Sequence, residues 1–337
     1  MSASDEFTAL LDRLDHEMEH APAIVKASAF WTELNQRHRE RLTAEGLANF
    51  KRTAAKDYFT WMRIWPWDSQ IRFLIRNIGL AGTVKAVLGT FRPLRHAHIP
   101  LAEGLALNFL TQLIWRYAER HTGDTLPRLA EPAFGNPPAI YHGGRLISQD
   151  LANSALEYQS FKTVATGVVC ELGGGYGRNA FVAASLAPIT RYIMVDIPPA
   201  IGIAQEYLRV AFPDRNHFEL RAFDNFETVR AEFEAADFAF LLPHQLALLP
   251  DGYVDLFINI SSLHEMTQAQ VDYYLGQIFS KVKSGGHFYL KAWTVSNNPA
   301  HDFTINAEDY QLDDWQQVFW RDAAVQTRFF EALLRKP

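Results

Sequence analysis

The densest chemical signal in the chain is Glu171-Leu172-Gly173-Gly174-Gly175-Tyr176-Gly177-Arg178-Asn179. It follows an apolar run that reads as a strand and opens a helical pattern. Glycines at such a turn let the backbone reverse tightly and approach a ligand with no Cβ in the way. Asp196 stands at the end of the next apolar run, Tyr192-Ile193-Met194-Val195, 23 residues after Gly173. A carboxylate at the end of the second strand of a strand–turn–helix–strand unit meets ribose hydroxyls. Gly173, Gly174, Gly175 and Asp196 therefore predict a nucleotide-type ligand.

Two ligands compete for this geometry. A dinucleotide fingerprint requires a small third residue, so that the helix packs closely and the pyrophosphate sits on its N-terminus. Here that position holds Arg178, and Glu171 precedes the first glycine by two places, where it would repel a pyrophosphate. A carboxylate there suits the ammonium and sulfonium of S-adenosyl-L-methionine, which is the cofactor expected. An NAD(P)-dependent oxidoreductase on the same type of nucleotide-binding fold is the alternative, as is a methyltransferase with a non-sugar small-molecule acceptor, and a non-catalytic protein that keeps the fold is the remaining reading.

Methyl transfer is an in-line displacement that mainly needs alignment. A hydroxyl acceptor also needs a base within hydrogen-bond reach. The carboxyl end of a strand faces the ligand crevice of an open α/β sheet. His264 and Glu265 follow the fourth predicted strand, 254–260, and are the catalytic candidates. His264 is ranked first because imidazole accepts a proton near neutral pH; Glu265 is the base itself or orients the histidine. His244, after the third predicted strand, reads as a wall of the cofactor pocket or an ordinary loop residue. Asn259 reads as a hydrogen-bonding partner of the cofactor or as a satisfied buried polar group. Asp224, Glu265 and Asp302 are oxygen ligands in type, but nothing in their spacing brings them together, and no metal is expected.

The blocks ELGGGYGRNAF, MVDIPPA and DLFINISSLHEM, with FKRTAAKDYFTW and LISQDLANSALEY upstream, resemble the sugar O-methyltransferases of the class I fold. The resemblance runs over residues 30–295. It implies a Rossmann-like sheet, S-adenosyl-L-methionine as methyl donor, and a hydroxyl of a sugar or sugar-bearing metabolite as acceptor. Carried over by position, it places Glu171, Gly173 and Gly175 around the methionine part, Asp196 at the ribose and Ile197 against the adenine. Where His264 stands, the family pattern often has a neutral or apolar residue.

These residues require a frame of class α/β. Residues 1–160 read as an all-helical N-terminal domain, a lid or acceptor-binding part, with 102–121 its most apolar helix and Ser148 an N-cap. Residues 161–337 read as the Rossmann-like catalytic domain. Its strands are 167–172, 192–195, 238–242, 254–260 and 287–292, with helices at 199–212 and 267–282. The segments 315–320 and 325–334 read as a closing hairpin, and 214–236 holds an extra strand near 217–220 or an insertion.

Composition narrows the classes further. With 337 residues, 48% hydrophobic and 21% charged, the chain is globular and long enough for two domains. Its net charge of −6 argues against a nucleic-acid surface. The single cysteine, Cys170, excludes an internal disulfide and a cysteine-based zinc site. The first twenty residues lack a signal peptide's apolar core, and no run is long enough to span a membrane. A cytoplasmic protein is expected, with a small-molecule acceptor as partner and room for self-association. His16-Glu17-Met18-Glu19-His20 matches a zinc-hydrolase motif but lacks a third ligand. Arg95-His96-Ala97-His98 has no partner either. Lys51, Arg52 and Lys56 interleave with Phe50, Tyr58, Phe59, Trp61, Trp65 and Trp67, which read as helical core or as a platform for sugar rings.

Overall fold

The computed structural model describes residues 3–53, 68–90, 101–296 and 305–337. The chain divides into two compact units. One comprises Met1–Leu47, Phe161–Ala323 and Arg328–Pro337; the other comprises Ala48–Ser160 and Ala324–Thr327. The division departs from a single break at 160/161, because helices α1 (Ala3–His20) and α2 (Ala29–Glu45) belong to the unit that holds the large sheet. The reason is burial. Phe7, Leu10, Leu11 and Leu14 form an apolar stripe on α1, and Ala21 and Val25 just beyond it join the core beneath the sheet.

The second unit is mainly helical. It contains α3 (Ser69–Thr90), α4 (Leu101–His121), the two-residue strands β1 (Tyr141–His142) and β2 (Arg145–Leu146), and most of α5 (Gln149–Phe161). Ser148 caps α5 as expected, its Oγ accepting from the Leu151 amide at 3.0 Å. The Ser148 hydroxyl also donates to Glu131 at 2.5 Å, and Glu131 forms a buried ion pair with Lys51. Glu131 thus joins the two upstream blocks of sequence, one carrying Lys51 and the other Ser148. Arg52 donates to the Asn136 carbonyl at 2.7 Å, so both cations brace loops. Lys56 and the aromatics from Tyr58 to Trp67 lie outside the described residues, as does Arg95-His96-Ala97-His98.

The large sheet is built from β3 (Gly167–Leu172), β4 (Ile189–Val195), β5 (His217–Phe218), β6 (Phe238–Leu241), β7 (Val254–Ile260), β8 (Val282–Trp293), β11 (Gln316–Asp322) and β12 (Phe329–Arg335). Two further short strands, β9 (Val295–Ser296) and β10 (Ile305–Asn306), pair only with each other. The order across the large sheet is β11-β12-β8-β7-β3-β4-β6-β5. Strands β5 to β8 with β3 and β4 pair in parallel; β12 runs antiparallel to β8, and β11 to β12. This is an α/β fold with a mostly parallel sheet, and the closing hairpin sits where the sequence predicts one. The ambiguous stretch after 214 forms the two-residue edge strand β5.

The intervening helices are α6 (Arg178–Leu186), α7 (Ala200–Ala211), α8 (Arg230–Ala235) and α9 (Gln268–Lys281). Central strands are buried nearly end to end, as a parallel sheet covered on both faces requires. From β3 the chain first builds outward through β4, then crosses to the other side at β7. The strand order therefore reverses between β3 and β7, and an open α/β sheet binds its ligand at the carboxyl ends of the strands at that switch point.

Candidate active site at the carboxyl ends of the central strands

The glycine loop leaves β3 at the switch point. Gly173 has φ +73°, and a methyl group there would lie 2.3 Å from Ser262 Cβ, so only glycine lets the loop pass this close to the turn after β7. Gly175, at φ +58°, directs its amide to Asp196 Oδ2 at 2.8 Å. Asp196 Oδ1 accepts from the Ile197 amide at 2.7 Å. Both carboxylate oxygens are thus oriented by backbone donors, with further lone pairs left for a ligand. Burial raises the Asp196 pKa to about 7; the two backbone bonds oppose this, and the Glu171 charge adds to it.

Glu171 is fully buried at the end of β3. Asn179 donates to its Oε1 at 3.1 Å and the Tyr192 hydroxyl to its Oε2 at 2.8 Å. Asn179 belongs to the glycine motif but has no sequence-read role, and Tyr192 lies inside an apolar strand that gives no polar signal. Gly174 lies directly over this group: a methyl there would sit 2.8 Å from Glu171 Oε2 and 2.7 Å from Met194 Cε. The glycine at 174 thus seats the loop on Glu171. Ile197 begins the turn into α7 and is half-buried.

The turn after β7 brings the second group. Ser261 has φ +58°, rare for a residue with a side chain, and its buried hydroxyl has no hydrogen-bond partner among the described residues. Asn259 is fully buried; its amide donates to the Leu172 carbonyl at 2.9 Å and its carbonyl accepts from the Leu263 amide at 3.2 Å. These bonds make Asn259 a brace between the two loops, the buried-polar reading of this residue.

His264 lies on the turn after β7. Its ring is buried, stacked on Trp293 at 4.7 Å and 13°, and met edge-on by Phe329 at 5.7 Å. Its Nδ1 accepts from the Trp293 amide at 3.2 Å. A neutral imidazole has one accepting nitrogen, and here a backbone N–H uses it. The ring proton then resides on Nε2, 3.9 Å from Glu265 Oε1.

Glu265 has the opposite setting. Its side chain is 23% exposed. Its pKa is raised to about 8 by burial first and then by the Asp196 charge, while a hydrogen bond from the Trp31 side chain opposes the rise. Trp31 lies in α2, more than two hundred residues earlier, and nothing in its sequence context signals this contact.

His244 sits in the turn after β6, with Nδ1 buried and without a hydrogen-bond partner among the described residues, and burial lowers its pKa. The charges that reach it belong to Glu17 and Asp224. Nearby, a cavity of about 320 Å³ is walled by Arg13, His16 and Glu17 of α1 and by Leu220, Arg221 and Leu242. Of the zinc-like motif on α1, His16 and Glu17 line this cavity; within the motif His20 Nδ1 is 2.8 Å from the His16 carbonyl, and His16 is 3.8 Å from Glu19. Among the described residues no group of three or more histidine, cysteine, aspartate or glutamate side chains is arranged to hold a metal. Asp302 lies outside the described residues. No helix among them is long and apolar enough to cross a membrane.

No family model matches the chain. A stretch of 119 residues is 30% identical to acetylserotonin O-methyltransferase of Bos taurus; it covers 35% of this chain and 28% of that protein. The match thus spans little more than a quarter of that relative. Among solved structures, 1,6-didemethyltoxoflavin-N1-methyltransferase of Burkholderia thailandensis, with bound 1,6-didemethyltoxoflavin and S-adenosylhomocysteine, overlaps with TM-score 0.40 and 14% identity, over 56% of this chain and 78% of that one. Phosphoethanolamine N-methyltransferase 1 of Haemonchus contortus overlaps with TM-score 0.36 and 14% identity, over 56% and 43%.

Proposed function

We propose that the chain is an S-adenosyl-L-methionine-dependent O-methyltransferase that acts on a hydroxyl of a sugar or sugar-bearing metabolite. The observation that supports this most is the acidic group at the carboxyl ends of three neighbouring strands. Asp196 follows β4, Glu171 lies one residue before the end of β3 and Glu265 follows β7; burial is the first cause of the raised pKa of Asp196 and of Glu265, and the Glu171 charge adds to the former and the Asp196 charge to the latter. A pyrophosphate would add like charge to this group. A ligand with a sulfonium and an ammonium relieves it. The orphaned Ser261 hydroxyl beside the glycine loop offers one more polar contact.

When bound, the donor supplies a methyl group already activated by positive sulfur. Asp196, held by the Gly175 and Ile197 amides, accepts the ribose hydroxyls. Ile197 and His244, after β4 and β6, serve the adenine end. Glu265 takes the acceptor's proton: a carboxyl raised to about 8 is a far stronger base than an ordinary glutamate. His264 and Trp293 fix the turn that carries it. The hydroxyl acceptor draws support from the partial likeness to an O-methyltransferase, and the sugar class from the sequence blocks around Lys51 and Ser148.

The test is incubation with methyl-labelled S-adenosyl-L-methionine and a panel of free sugars, glycosides and amines. Label recovered as a sugar methyl ether, at a rate a chelator leaves unchanged, is the expected result. Label recovered only on nitrogen, or on non-sugar hydroxyls, overturns the acceptor class. Loss of activity with the chelator overturns the assignment of the proton to Glu265 without a metal.

A further inference from the structure

Tyr192 and Asn179 reach Glu171 from two different elements. In the parallel pairing of β3 with β4, Glu171 lies beside Met194, and Tyr192 stands two residues earlier on the same face of the sheet. From there the Tyr192 hydroxyl, wholly buried, donates to Glu171 Oε2 at 2.8 Å. Asn179 approaches from the first turn of α6 and donates to Glu171 Oε1 at 3.1 Å. The neighbouring guanidinium sets which end of this amide faces the acid. Arg178 Nη1 donates to Asn179 Oδ1 at 3.4 Å, so the NH2 group is the one turned to Glu171. Each carboxylate oxygen therefore accepts from a separate element, and the two donors fix the plane of the group. Together they also stabilise its charged form. Gly174 lies over Oε2, so the acid sits directly beneath the glycine loop.

We propose that Tyr192 and Asn179 are positioning residues for the amino-acid end of the donor: they hold the Glu171 carboxylate, charged and in one orientation, beneath the loop where an ammonium group is to be attracted. This role rests on the methyltransferase reading, which puts Glu171 at the methionine part; the two hydrogen bonds do not. Glu171 is only 1% exposed, so it acts on the ligand through its charge across the glycine loop. A charge is felt far more strongly in such a buried setting than in water. Neither Tyr192 nor Asn179 touches the ligand in this role. Each acts through Glu171, so its effect is confined to ligands that carry the amino-acid group.

The experiment titrates the full-length protein by calorimetry with S-adenosylhomocysteine and with 5′-methylthioadenosine, which keeps the thioether and the nucleoside but lacks the amino-acid group. Tyr192→Phe keeps the ring and removes the donor. It should weaken S-adenosylhomocysteine about tenfold and leave methylthioadenosine within about twofold. Asn179→Ala should change the two ligands in the same unequal way. Retained methylthioadenosine binding shows in the same sample that each variant is folded. In a Glu171→Gln background, adding Tyr192→Phe should change neither affinity by more than about twofold, because a residue that acts through Glu171 has nothing left to position. Equal losses on the two ligands in both single variants overturn the positioning role, and so does an unchanged S-adenosylhomocysteine affinity in both. A full tenfold loss from Tyr192→Phe in the Glu171→Gln background overturns it as well. The wild-type titration separates the two claims: a wild type that binds neither ligand removes the methyltransferase reading and this role with it, while wild-type binding that the variants leave unchanged removes the role alone.

Discussion

Asp196 and Glu265 are two carboxylates beyond the ends of β4 and β7, the strands on either side of β3, both pushed well above the ordinary carboxylate range, and their surroundings differ. Asp196 is gripped by two main-chain amides, those of Gly175 and Ile197, 2.8 and 2.7 Å away. Glu265 shows no such main-chain grip among the described residues: the buried ring of His264 stands 3.9 Å from its Oε1, and burial sets its pKa first, with the Trp31 side chain opposing the rise. Backbone donors are part of the fold and do not let go, so they suit a carboxylate that binds and never changes place. On the proposed reading, one fold makes a binding acid and a reacting acid from the same functional group.

Substitution at the reacting acid should have the largest effect. Glu265→Gln should lower turnover on the acceptor found by labelling by about 10²–10⁴-fold, with S-adenosylhomocysteine affinity held within about threefold. His264→Leu, by contrast, should keep turnover within about tenfold and lose roughly 1–3 kcal/mol of stability, since it leaves the Trp293 amide unpaired. Steady-state kinetics with chemical denaturation checks both. If His264→Leu abolishes turnover in a stable protein while Glu265→Gln does not, the roles are reversed.

At the binding acid the expected effect is smaller. Asp196→Ala should weaken S-adenosylhomocysteine by about 2 kcal/mol, the range for hydrogen bonds to a charged group, as measured by calorimetry. Unchanged affinity would remove Asp196 from the ribose site.

The glycine loop, Asp196 and the strand ends are legible in the sequence because each is written in neighbouring residues: glycines where φ is positive, an acid directly after an apolar run. Strand β7 matches the expected 254–260 residue for residue. The sheet unit's claim on α1 and α2 is not legible, since amphipathic helices say which face is buried but not against what. Tyr192, Trp31 and Trp293 escape a sequence reading for a related reason. Each makes its contact across the sheet or from a distant helix, and each looks in sequence like ordinary apolar core. The hydrogen bond from the Trp293 main-chain amide to His264 Nδ1 is likewise one that no side-chain pattern records.

The pH dependence gives the smallest effect, and its sign separates binding from stability. Ribose hydroxyls need Asp196 ionised, and its pKa is raised to about 7. Donor affinity should therefore rise with pH, by about tenfold between pH 6 and pH 8 for one such group. Stability of the ligand-free protein should move the other way. A carboxyl whose folded pKa exceeds its unfolded value binds more protons when folded, so stability falls as pH rises from about 4 to about 8. Affinity that falls over this range would contradict the assignment.

Both carboxylates matter because the acidic group at the ends of β4, β3 and β7 is read as selecting a cationic donor over a pyrophosphate. Calorimetry of the full-length protein against S-adenosyl-L-methionine, S-adenosylhomocysteine and NAD decides between the two ligands. The expected result is micromolar binding of the first two, about −8 kcal/mol, with no heat from NAD. Tight NAD binding with no heat from either sulfur compound would contradict the selection of a methyl donor.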